Sequence, residues 1–169
     1  LGSFVTGAGP NTVTGKFTNL GAFNPGGDPG TFTIDGDYVQ GQTGLLDIEV
    51  EGTTPGSPTG YSVLDITGNA SFAGTLELSF IDSFAPIQGD TFDFLSYGSL
   101  DPINDGFSTV EIEGLEPGFD YAIAPNGSGS FELTALNNAV AVPEPGACAL
   151  LVLGAAVLAS RYRGRRRIA

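Results

Sequence analysis

Residues 62–80 read SVLDITGNASFAGTLELSF. Apolar and polar side chains alternate on both sides of Gly68-Asn69, which is the period of a half-buried strand rather than of a helix. The same form stands further upstream. Ile34-Asp35-Gly36-Asp37-Tyr38 leads through Gly44 to Leu46-Asp47-Ile48-Glu49-Val50, as Ile66-Thr67-Gly68-Asn69-Ala70 leads through Gly74 to Leu76-Glu77-Leu78-Ser79-Phe80. A shorter copy begins at Val13-Thr14-Gly15. The copies are not equally spaced, so the repeat is loose. Echoes of this size suggest stacked units in which each covers the apolar face of the next.

The rest of the body has the same texture. Alternation recurs in residues 31–38, 45–50, 90–97, 107–113, 120–124 and 130–136, each bounded by Gly, Pro, Asn or Asp. Thr, Val, Ile, Phe and Tyr fill these runs, as a pleated surface prefers. Residues 1–136 are therefore expected to be an acidic all-β body. A β-solenoid or β-helix-like form is favoured by the echo, with a β-sandwich of seven or eight strands as the alternative.

Charge divides the chain sharply. Of 169 residues, 19 are acidic and 6 basic, with no His, Met or Trp and one Cys. Lys16 is the one basic residue before position 161, so residues 1–142 carry −17 and the remainder +4. Such a body repels nucleic acid and anionic headgroups, and self-repulsion favours solubility. No nucleic-acid partner is expected. At 41% apolar residues the chain exceeds a disordered acidic tail and can build a core.

The closing stretch is different in kind. Residues 137–145, NNAVAVPEP, read as a linker; residues 146–160 carry no charge and are rich in Leu, Val and Ala; residues 161–169 hold Arg161, Arg163, Arg165, Arg166 and Arg167. Pro145 suits a helical first turn, so a single transmembrane helix is expected over 146–160. At about 1.5 Å per residue it spans roughly 22 Å, and snorkelling arginines extend its reach. The arginines place the tail in the cytoplasm and the acidic body outside it. Cys148 reads as a small apolar residue of that helix. LGSFVTGAGP, at the start, lacks the basic and apolar regions of a signal peptide, so an export signal is expected upstream.

Val142-Pro143-Glu144-Pro145, then an apolar run, then an arginine cluster resembles the PEP-CTERM sorting signal of Gram-negative bacteria, over about residues 141–169. The resemblance implies recognition of Pro143, Glu144 and Pro145 by an exosortase, a membrane-embedded cysteine protease of transpeptidase type. It further implies a precursor anchored transiently in the inner membrane with its body facing the periplasm, then delivery to the cell surface or an extracellular polysaccharide or biofilm matrix. GGDPGTFTIDGDYVQ (26–40), SVLDITGNASFAGTLELSF (62–80), GDTFDFLSYGSL (89–100) and FSTVEIEGL (107–115) resemble the passenger ends of autotransporter-type β-helix proteins. That likeness bears on fold and says little of activity.

The residues available limit the chemistry. Without His there is no Ser-His-Asp triad and no imidazole metal site, and the body has no thiol nucleophile. NPGGDPGT (24–31) lacks the Gly-Lys-Ser/Thr of a phosphate loop and reads as a turn. Asp35, Asp37 and Asp47 could offer oxygens to calcium, but neither EF-hand spacing nor a calcium-binding repeat is present. Asn69-Ala70-Ser71 and Asn126-Gly127-Ser128 match glycosylation acceptors and read as turns. The expectation is a non-enzymatic protein with no cofactor and no metal site. A carbohydrate- or calcium-binding β module is the alternative, with Tyr38, Tyr61, Tyr97 and Tyr121 as the aromatics. A polysaccharide-active β-helix enzyme is less favoured, because the body lacks the basic residues needed to neutralise a uronate.

Overall fold

The computed structural model describes residues 4–5, 11–25 and 29–142. Among these residues there are thirteen strands and no helix. They are β1 (Phe4–Val5), β2 (Asn11–Thr14), β3 (Phe17–Asn19), β4 (Ala22–Asn24), β5 (Thr31–Asp35), β6 (Tyr38–Gln40), β7 (Leu45–Val50), β8 (Val63–Phe72), β9 (Thr75–Phe80), β10 (Thr91–Asp105), β11 (Thr109–Glu113), β12 (Tyr121–Pro125) and β13 (Ser130–Ala135).

Strand order in the first sheet is β1-β4-β7-β9-β11, parallel throughout. In the second it is β12-β13-β10-β8-β5-β2, and β6 joins β3 to β8 beside this path. The second sheet is mixed: β13 runs antiparallel to both β10 and β12, and its other ladders are parallel.

The sequence echo is laid out as lateral pairing. Val13 faces Ile34, and Ile34 faces Ile66; Leu46 faces Leu76, which faces Val110. Parallel strands held in register place like residues side by side, so one inward pattern serves every strand in turn. β7, β9 and β13 each alternate strictly, with every second residue buried. Leu46, Ile48, Leu76, Leu78, Phe92, Phe94 and Leu133 form one core with Ile34, Leu64 and Ile66. Aromatics thread it: Phe17 lies 4.9 Å from Phe23, Phe23 meets Phe32 edge-on at 5.3 Å, and Phe72 meets Phe131 edge-on at 5.4 Å. Such tilted and edge-on pairs are the favoured arrangement of ring quadrupoles.

The glycine of the echo is a close-approach residue. A Cβ on Gly68 would stand 2.5 Å from the Gly36 carbonyl oxygen, and one on Gly36 would fall on the Gly15 carbonyl. Gly68 N–H donates to Gly36 O at 2.9 Å, so the backbones meet where a side chain would part them.

These findings correct the expected architecture. The described residues are all-β, but their two sheets do not close into a solenoid. The parallel progression of the second sheet ends at β10, where β13 turns back antiparallel and carries β12 with it. An antiparallel sandwich does not describe the fold either, because among the described residues antiparallel strand pairing is confined to β10, β13 and β12. Among the described residues no helix is long and apolar enough to cross a membrane. The transmembrane helix expected over 146–160 falls outside the described residues.

Candidate functional site

Two features stand out from a plain β scaffold. One is where the chain leaves the body. After β13, Asn137 accepts from the Asp120 N–H at 3.0 Å through Oδ1 and donates from Nδ2 to Gly118 O at 2.8 Å. Asn138 Oδ1 accepts from Gln88 N–H at 2.8 Å, and Ala139 N–H donates to Pro86 O at 2.9 Å. Ala141 bridges Leu115 in antiparallel fashion, with Glu116 N–H donating to Val140 O at 2.7 Å and Val142 N–H to Gly114 O at 2.9 Å. Residues 137–142 are thus clasped to the loops before β10 and after β11. Of the expected processing motif, Val142 lies at the end of this clasp and is exposed. Pro143, Glu144 and Pro145 lie outside the described residues, as do Arg161, Arg163, Arg165, Arg166 and Arg167.

The other feature is a strip of carboxylates on the outer face of the first sheet. The register that stacks Leu46 on Leu76 also sets Asp47 beside Glu77 and Glu77 beside Glu111, with Glu49, Ser79 and Glu113 in the next row. Lys16 is the one basic side chain among the described residues, so hydroxyl and amide donors moderate the strip. Ser79 Oγ donates to Asp47 Oδ1 at 2.9 Å, and Asn24 Nδ2 reaches Asp47 Oδ2 at 3.0 Å and Glu49 Oε1 at 3.1 Å. Desolvation raises the Asp47 pKa above the ordinary carboxylate value, against the lowering effect of Ser79 and Asn24. Glu77 is raised too, by desolvation first and then by the neighbouring charges of Asp47 and Glu113. Among the described residues no group of three or more such side chains has metal-binding geometry.

The remaining sequence candidates are dispersed. Asp35 accepts from Thr67 Oγ1 at 3.2 Å and Asp37 from Asn69 N–H at 2.9 Å, both around the second sheet, whereas Asp47 belongs to the first. Tyr38 and Tyr61 are core residues, 0% and 4% exposed, which removes them as a glycan platform. The Tyr38 hydroxyl donates to Gln40 Oε1 at 2.7 Å, and Gln40 Nε2 donates to the carbonyls of Ala73 at 2.9 Å and Thr75 at 2.8 Å. Burial pushes the Tyr38 phenol well up. Tyr97 and Tyr121 are half-buried against the core. Asn126 organises a turn: its Oδ1 accepts from Ser128 N–H at 2.9 Å, and its Nδ2 reaches Asp93 at 2.9 Å. Asn69 lies within β8 instead.

Sequence reasoning missed the clasp. Its signal is faint: two adjacent asparagines after a strand, residues that readily bond to backbone in loops. Compared with known proteins, the chain matches no family model, no curated protein and no solved structure.

Proposed function

We propose that this chain is an exported, non-enzymatic surface or matrix protein, sorted through its C-terminal segment and processed there by an exosortase. One observation carries the reading: Val142-Pro143-Glu144-Pro145, an uncharged apolar run and five arginines follow one another at the end of a body with a single basic residue. The apolar run lodges in the inner membrane, the arginines hold its far end in the cytoplasm, and the body faces the periplasm. The clasp supports the reading, because it fixes the exit of the chain at one end of the body, next to the proposed cleavage motif. The two prolines disfavour helix at the residues before them and keep the motif extended. Released, the body is an acidic β element of an exopolysaccharide-rich matrix.

Changing Pro143, Glu144 and Pro145 together to Ala in a host that carries an exosortase is the test. Retention of the full-length protein in the inner-membrane fraction is expected. Surface delivery indistinguishable from the parent chain would defeat the proposal.

A further inference from the structure

We propose that the apolar rim of the clasp, made of Leu136, Val140 and Val142 with Ile87, rests on the bilayer surface while the precursor is anchored, a role that depends on the membrane reading of the tail. Among the described residues the large apolar side chains that stand exposed are Leu20, Ile87, Ile103, Leu136, Val140 and Val142, and four of the six belong to residues 136–142 or to the loop hydrogen-bonded to them. Val140 and Val142 flank Ala141, the residue bridged to Leu115, so both project to the side of the strand opposite Ala141. Their exposures are 57% and 48%. Ile87 joins them because its two neighbours are bonded to the same segment, Pro86 O to Ala139 N–H and Gln88 N–H to Asn138 Oδ1. Exposed apolar groups gathered in this way mark a contact surface.

The chain's own reach selects the occupant. The uncharged run begins at Gly146, four residues after Val142. Four residues span at most about 14 Å, so a run that starts at the hydrocarbon boundary keeps Val142 within or just above the headgroup layer. The end of the body that must lie nearest the lipid is the end that carries the apolar rim. Asp90, Glu116 and Asp120 stand around it, each hydrogen-bonded to the clasp or to Ile87 through a backbone or side-chain atom. Their charge favours a zwitterionic headgroup over an anionic one.

The chain has no Trp, which makes a single introduced indole a clean reporter. Val140→Trp and Ile103→Trp are to be made in the full chain and mixed with phosphatidylcholine vesicles whose acyl chains are brominated. Ile103 is the comparison: its end of β10 pairs at Phe72, before β9 begins, whereas Val142 bonds to Gly114 at the other end of β9, roughly 17 Å along. V140W is expected to shift to the blue and lose most of its emission, while I103W keeps its spectrum. A chain that floats with the vesicles but leaves V140W unquenched overturns the docking and leaves the anchor intact. A chain that does not float overturns both. A blue shift of V140W without vesicles, with a dimer in sedimentation, assigns the rim to a second copy and overturns the proposal.

Discussion

The glycines of the echo do different work from the glycines of the loops, and single substitutions separate them. A methyl at Gly68 meets the Gly36 carbonyl and the Asp37 carboxylate, both at 2.5 Å, on a backbone that cannot retreat without parting β8 from its neighbour. Gly106 has nothing within 4 Å of the same atom. Gly68→Ala is expected to cost about 1–3 kcal/mol, as overpacking does, and Gly106→Ala to change stability by less than about 1 kcal/mol. Urea denaturation of the two variants checks the contrast, and equal midpoints would contradict it. The buried Gln40 gives a second contrast. Gln40→Leu takes a donor from the carbonyls of Ala73 and Thr75 and the acceptor from the Tyr38 hydroxyl, so a loss of about 3 kcal/mol is expected; Tyr38→Phe removes one hydroxyl and costs about 1 kcal/mol. The phase of the alternation could have assigned Tyr38 to the core: Phe32, Ile34, Tyr38 and Gln40 fall on one parity and all are buried. Residue type alone does not show this, because tyrosine stands between the buried and exposed classes.

Among the elements, β7, β9 and β11 carry the main electrostatic cost. In-register parallel pairing of acidic strands brings like charges together, which destabilises a sheet. The folded-state pKa values of Asp47 and Glu77 are raised, so the folded form holds their protons more tightly than the unfolded chain does. The stabilising effect is full below the ordinary carboxylate values of 3.8 and 4.5 and fades as pH rises through the raised ones. Thermal unfolding is expected to show a higher midpoint near the acidic end of the folded range than at neutral pH. Glu77→Gln should raise the midpoint at neutral pH and flatten its dependence on pH. A midpoint that climbs steadily from acid to neutral pH would refute this account of the strip.

Element positions were legible where alternation ran for five residues or more, as in β5, β7, β9, β11 and β13. Three kinds of feature were not. β2, β3 and β4 are three or four residues long and too brief to show a period. β10 continues past Gly98 and Pro102, which read as breakers; Gly98 is instead a close approach, since its Cβ would fall on the Thr67 carbonyl of β8. The antiparallel return of β13, which decides that the sheets do not close, depends on which strand β13 pairs with. A period of two leaves pairing partners unspecified.

At the scale of the whole molecule, an apolar core lies inside an acidic β body whose exit is clasped. Asn137 bonds the exit to residues that follow β11, so loosening it should be felt beyond the site of change. Asn137→Ala is expected to speed hydrogen exchange at the Asp120, Glu116 and Val142 amides and to leave β7 and β9 protected. Uniform exchange across the chain would show that the clasp is not a separate unit. The proposed processing motif is a reading of the sequence alone, because prolines, an uncharged run and an arginine cluster are compositional. The clasp before it was not legible there, because that runs through asparagine side chains to residues 17 and 50 positions away. The central claim is that this exit is cut. Intact-mass measurement of the protein recovered outside exosortase-bearing cells tests it most directly. A C-terminus at or near Pro143-Glu144-Pro145, with the arginines gone, is predicted; an extracellular protein that still carries Arg161 to Arg167 would contradict it.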